Sequence, residues 1–257
     1  MLHEDIRLSQ GRRAPNGVLA RAFPLPDGWE HGVAFRTIGC NEPTIIAPCE
    51  VADGNEVRPE SAQFEPIFVR QSAACSTMSK VGTVNMAADR LESTTEWAVG
   101  RLLSMGAGTT NISFADATLV HTSDDDNPAL GAANAVSCIE QAAADQGFGA
   151  EVFLHAPLRA AAYLSAMNLN IDGYSPSGFP WILSPGYTTE DEAVTIWATG
   201  TVWASVTAPF DPNERTPSAG WRINLDATYA QRLALAAFDP CLNLAASFAV
   251  PTCNGGS

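Results

Sequence analysis

The sequence predicts an α+β protein, and three stretches carry that reading. From Thr83 to Met105 the residues Val84, Ala88, Leu91, Thr95, Ala98, Leu102 and Met105 recur every three to four positions, which is one face of a long helix. Upstream, WEHGVAFR (29–36) and QFEPIFVRQSA (63–73) are extended segments separated by a loop dense in Pro, Asp, Asn and Gly, the pattern of a projecting hairpin. Downstream, RINLDATYAQRLALAAFDPC and LNLAASFAV read as two closing strands with AFDPC at the corner. Helices laid on a largely antiparallel sheet satisfy that order.

Taken in order, residues 1–28 have no sustained period and read as an extended arm. The hairpin has too few apolar positions to stand alone in water and must lie on something else. Thr83 suits the N-cap of the long helix, Arg101 its negative C-terminal end, and Gly106 a left-handed residue just past it. At 1.5 Å per residue it would run roughly 33 Å, a spine for the rest of the chain. NISFADATLV and a polar break around Asp124, Asp125 and Asp126 follow. Asn127 then caps a helix opened by Pro128, and Gly147 ends it. EVFLHAP is a strand, PLRAAAYLSAMNL a helix and FPWILS a short strand. TIWATGTVWASVTAP is a long strand kinked at Gly200, and DPNERTPSAGW a polar loop.

Composition narrows the function classes. The chain has 257 residues, 46% of them apolar, so it can bury a sizeable core. No apolar run approaches the roughly 20 residues of a membrane span, and the N-terminus lacks an apolar signal core, so the expectation is a soluble protein made in the cytosol. A net charge of −14 speaks against whole-surface nucleic-acid binding. Arg7, Arg12, Arg13 and Arg21 nevertheless concentrate in the arm. Six cysteines form no CxxC pair, which disfavours zinc; Cys40 and Cys49 would bridge a loop only in an oxidising medium. No nucleophile elbow, P-loop, dinucleotide fingerprint or HExxH pair is present, and His3, His31, His121 and His155 are scattered. His155, at a strand–helix junction, reads as a hydrogen-bonded structural residue. Trp181, Trp197, Trp203 and Trp221 lie in the strand-rich half, where core packing explains them better than a sugar platform. The expectation is no enzyme, no cofactor and no metal.

The succession of elements resembles the major capsid proteins of tailed bacteriophages with the Hong Kong 97-type fold. WEHGVAFR through PIFVRQSA is similar to that family's E-loop, LESTTEWAVGRLLSMG to the end of its spine helix, and FLHAPLRAAAYL to its strand–Pro–helix segment. GFPWILSPGY resembles its Gly-x-Pro strand, and YAQRLALAAFDPCLNLAASFAV its closing hairpin. The resemblance implies an arm over 1–28 and an E-loop over 29–70. A peripheral domain with the spine would comprise 71–108 and 194–225, and an axial domain 109–193 and 226–257. It implies self-assembly through hexamers and pentamers into an icosahedral shell around double-stranded DNA. That places the protein in the virion after assembly in the host cytoplasm, with portal, scaffolding and decoration proteins as further partners. Assembly contacts would come from Trp29, Phe35, Arg36, Arg58, Ile67 and Phe68 of the E-loop and from Asp211, Glu214 and Arg215 of the polar loop. Arg7, Arg12, Arg13 and Arg21 would face the shell interior. A fused scaffolding segment ahead of the arm is expected to be absent. Three other readings stay open: an encapsulin-like nanocompartment shell with the same fold; in a different class, a secreted hydrolase or carbohydrate-binding protein; and a minor head or tail structural protein.

Some members of the resembled family weld subunits by isopeptide bonds from an E-loop lysine. Lys80 is the only lysine here and precedes the spine, and the hairpin's cations are Arg36 and Arg58, whose guanidinium groups stay charged. Shells of this chain, boiled in detergent with reductant, should therefore run as a single band near 27.1 kDa. A reductant-resistant ladder of oligomers overturns that expectation.

Overall fold

The computed structural model describes residues 17–36, 61–75, 80–123, 127–147, 151–187, 192–209 and 226–251. In order, the elements are α1 (Val18–Arg21), β1 (Val33–Arg36), β2 (Ser61–Phe64), β3 (Ile67–Cys75), α2 (Lys80–Met105), β4 (Thr118–Ser123), α3 (Pro128–Gly147), β5 (Phe153–Pro157), α4 (Ala161–Ala166), β6 (Trp181–Ser184), β7 (Ala193–Thr199), β8 (Val202–Val206), β9 (Asp226–Phe238) and β10 (Asn243–Ala249). Among the described residues there is a β1–β2 ribbon, a three-stranded sheet β3-β9-β8 and a five-stranded sheet β4-β10-β7-β5-β6. The ribbon and the three-stranded sheet are antiparallel. The larger sheet is mixed: β10 runs parallel to β4 and β5 to β6, whereas β7 is antiparallel to both β10 and β5.

The long helix α2 starts four residues earlier than its capping pattern indicates, so Thr83 lies inside it. Its end is as read: Gly106 takes φ +68°. Its buried stripe, however, is wider than the three-to-four spacing implies. Ala87, Leu91, Thr95, Ala98, Val99, Leu102 and Leu103 are all buried, while Met105 is half exposed. Thr95 tolerates burial because its hydroxyl donates to the Leu91 carbonyl oxygen at 2.6 Å. The stripe is wide because the helix is touched from two sides, by β3 and β9 on one and by the β6 end on the other. At that second contact backbone meets backbone. A Cβ on Gly186 would run into the Trp97 carbonyl and the Arg101 amide, and one on Gly100 into the Ser184 side chain. Ser184 donates to the Glu96 carbonyl and Ser104 to that of Gly186.

Two segments that read as continuous strand elements are divided between sheets. The stretch 193–206 places β7 in the five-stranded sheet and β8 in the three-stranded one. The closing pair is not a hairpin either: β9 is the centre of the three-stranded sheet and β10 joins the larger one. Both switches happen side by side. The Asp239 N–H donates to the Thr201 carbonyl at 2.9 Å, and a Cβ on Gly200 would lie 2.8 Å from that of Asp239. Leu235, Ala236, Ala237 and Phe238 are buried on both faces of β9, which requires a layer on each side, and Pro240 has no N–H with which to continue a ladder. The segment 63–73 is likewise broken, at Glu65–Pro66: β2 stays with β1, and β3 leaves to pair with β9.

The sheets frame two apolar cores. One gathers α2 with the three-stranded sheet, Val18, Trp29 and Phe64; the other lies under α3 and α4. Strand β5 faces both, with Leu154 and Ala156 in the second core and Phe153 in the first. His155 lies on the Phe153 side, fully buried, against Phe114 and Tyr187. The Thr199 hydroxyl donates to the Gly200 carbonyl at 3.0 Å, so its oxygen accepts from His155 Nε2–H at 2.8 Å. Nδ1 is then left to accept from the Tyr187 hydroxyl at 2.9 Å. Burial pushes the imidazole down to about 3, and burial, then the Glu96 charge, pushes the Tyr187 phenol up.

An unfolded histidine titrates near 6.5. Because its folded value is lower, the His155 contribution is complete above roughly pH 6.5 and is lost as pH falls toward 3. The effect is on the order of a few kcal/mol across that window. A His155→Gln variant should unfold at lower denaturant at pH 7, and its stability should fall less steeply with acid. Parallel pH profiles of the denaturation midpoints for the two proteins would contradict this role.

Candidate assembly surfaces

The hairpin base is seated by its own apolar residues. Trp29 sits in a short 3-10 turn and is buried in the α2 core, and Phe64 of β2 meets Phe238 edge-on at 5.8 Å. Where β2 ends, the Asn111 side chain braces the break, accepting from the Glu65 N–H at 2.7 Å and donating to the Glu65 carbonyl at 3.0 Å. Of the residues expected to make E-loop contacts, Trp29 is thus held within the chain's own core. Ile67 is half-buried against that core, and Phe68 is 65% exposed. Phe35 and Arg36 lie on β1, with side chains outside the described residues, as is Arg58 altogether.

Alternation along β3 explains Phe68. Val69 and Arg232 form a cross-strand pair on the helix side, where Arg232 is buried and binds Glu92 of α2 at 2.7 Å. Phe68 pairs with Leu233 on the opposite side. Two residues on, Arg70 gives two hydrogen bonds to Gln231 Oε1, at 3.1 and 2.8 Å, with its guanidinium 5.8 Å from the Tyr229 ring centroid. This face of β3 therefore offers an exposed phenylalanine beside a fixed cation.

Asp211, Glu214 and Arg215 lie outside the described residues. Their segment joins β8 to β9, antiparallel neighbours whose last described tie is from the Thr207 N–H to the Leu233 carbonyl at 3.0 Å. Arg7, Arg12 and Arg13 are also outside, as are Cys40, Cys49 and Asp124–Asp126, and the Lys80 side chain. Arg21 is placed: its guanidinium lies 5.2 Å from the Tyr174 ring centroid. Together with Phe23, Glu151, Phe179 and Pro180 it lines an open cavity of about 450 Å³.

Sequence reasoning missed Glu92 and Glu96, which fall off the apolar face of the helical repeat. Glu96 accepts hydrogen bonds from the Val18 and Leu19 N–H groups at 2.6 and 3.2 Å. Only their i, i+4 spacing marks them as sharing a stripe. The tryptophans do not make a platform: Trp181 and Trp197 are buried, Trp203 is partly buried, and Trp221 is outside the described residues. Among the described residues no group of three His, Cys, Asp or Glu side chains is placed to hold a metal ion, and no helix is long and apolar enough to cross a membrane.

No protein-family model matches the sequence, and no curated protein matches it. Solved structures do match. A structure from Mycobacterium phage Ogopogo aligns with a TM-score of 0.63 at 12% identity, over 94% of each chain. The capsid of an empty GTA particle aligns at 0.54 and 9% identity, over 94% of this chain and 98% of that one. A virus-like particle from Pyrococcus furiosus aligns at 0.54 and 11% identity, over 93% and 92%. At such identities the likeness is one of fold, and it runs nearly end to end in both partners. The protein has the α+β Hong Kong 97-like capsid fold.

Proposed function

We propose that this chain is the major shell protein of a tailed-phage head, assembling with copies of itself into a closed icosahedral particle around double-stranded DNA. The observation that carries the proposal is the likeness of fold to phage and particle structures over more than nine-tenths of both partners. In this reading residues 1–28 are the arm and 29–70 the E-loop; the peripheral domain, expected over 71–108 with 194–225, gives up β7 to the five-stranded sheet, and the axial domain, expected over 109–193 with 226–257, gives up β9 to the sheet under the spine. The role is structural and not enzymatic, and its place is the virion. Hexamers and pentamers form the shell, and portal, scaffolding and decoration proteins are the further partners.

Physical arguments agree with this. A two-stranded ribbon such as β1–β2 is marginal by itself, and Phe68 lies exposed beside it; both gain from contact with a neighbouring subunit. A basic arm on an acidic body gives weak, sequence-independent contact with packaged DNA without coating the outer surface in positive charge. A second reading with the same fold is a nanocompartment shell around a protein cargo.

Electron microscopy of the purified protein tests the shell, and nuclease-protected DNA against co-purified protein inside the particles separates the two readings. Deleting residues 40–60 should leave a folded chain that fails to close shells; normal particles from that deletion would remove the E-loop assignment. Arg215→Glu should impair assembly while shifting the thermal midpoint of the unassembled chain by less than about 2 °C, because a rim charge acts on register more than on stability. Normal assembly of that variant would count against an inter-capsomer role for the Asp211–Gly220 loop.

A further inference from the structure

Residues 17–26 run along the first core from the spine to β8. Val18 is fully buried in the α2 core. Further on, the Phe23 N–H donates to the Val202 carbonyl and the Phe23 carbonyl accepts from the Ala204 N–H, each at 2.8 Å, which makes a bridge onto the edge strand β8. The Leu25 N–H donates to Ser205 Oγ at 2.9 Å. Between these anchors Arg21 reaches Tyr174, and the Phe23 ring meets Phe153 edge-on at 6.4 Å; both rings belong to the larger sheet and its loop. The segment is a strap over the junction of the two halves.

Its two ends are held differently. The Phe23–Leu25 end is backbone-paired to a strand. The other end is one short helical turn whose Gly17 N-cap supplies no side chain. Its first two amides are instead satisfied by the Glu96 carboxylate, one oxygen to each. A carboxylate suits the task because both of its oxygens accept only. An amide would put an N–H against one of the two N–H groups.

We propose that Glu96 is the positioning residue of a hinged strap. It holds the Val18–Arg21 end against the spine, and without it that end swings out about the Phe23–β8 bridge while the bridge stays closed. Opening carries Arg21 away from Tyr174 and removes one wall of the cavity lined by Glu151 and Phe179. The inference stands on the fold and not on the shell reading, since it concerns contacts within one chain.

Hydrogen–deuterium exchange on the full chain tests it, comparing the peptide over 18–22 with the peptide over 202–206. In Glu96→Ala the first peptide should exchange roughly tenfold faster or more, as expected on losing two charge-assisted bonds, and the second within about twofold of the parent. Glu96→Gln keeps the side-chain shape and one acceptor, so its first peptide should fall between the parent and Glu96→Ala. It also provides the measurement should the alanine variant not fold. Unchanged protection of 18–22 in these variants overturns the proposal. So does an equal loosening of 202–206, because that would make Glu96 a general stabiliser and not the latch of a hinge. Whether particles form does not enter either readout, so a failed shell reading leaves this result interpretable.

Discussion

The close approach of helix α2 to the loop after β6 is the constraint on which the rest of the structure depends. Two glycines, Gly100 on the helix and Gly186 on the loop, let backbone lie on backbone, with Ser184 and Ser104 bonding the carbonyls that become enclosed there. This contact fixes the distance between the spine and the five-stranded sheet. It thereby decides that α2 is buried on two sides and that Glu96, one turn from Gly100, is turned toward the strap. A helix held at the usual separation of packed side chains would leave neither the wide buried stripe nor that reach.

The sheet switches at Gly200 and Asp239–Pro240 serve the same end. Because both strand pairs pass from one sheet to the other at one point, the two cores share continuous backbone and cannot separate by a simple hinge between independent units. His155 lies close by, bonded to Thr199 beside the crossing and enclosed by rings from the α2 core. A neutral, doubly bonded imidazole satisfies the polar atoms that a crossing of this kind leaves inside.

The polar ties on the spine are ordered along it. Arg90 donates to the Ser72 carbonyl of β3, Glu92 binds Arg232 of β9, and Glu96 holds α1. Within two turns the helix grips β3, β9 and α1. These ties explain why the exposed-looking charges of that helix face are not simply a solvated surface.

What the sequence determined by itself are the elements with a period and a local stop. The spine from its apolar repeat and Gly106, the helix from Asn127–Pro128 to Gly147, the strands at 153–157 and 181–184, and the hairpin stem were all legible, because caps, glycines and alternation act within a few residues. The order of those elements carried the fold. Partnership was decided only in three dimensions. A continuous apolar pattern such as 193–206 or 226–250 cannot show that its halves belong to different sheets, since alternation is the same whichever neighbour a strand meets. Gly100, inside a helical repeat, reads as a weak point until Gly186, far along the chain, is set against it. Glu96 reads as a wet-face charge until Val18 and Leu19, about 78 residues earlier, present two amides to it. Long-range contacts between groups of ordinary local character leave no trace in the local pattern, and those contacts placed the strap, the latch and the joint between the two cores.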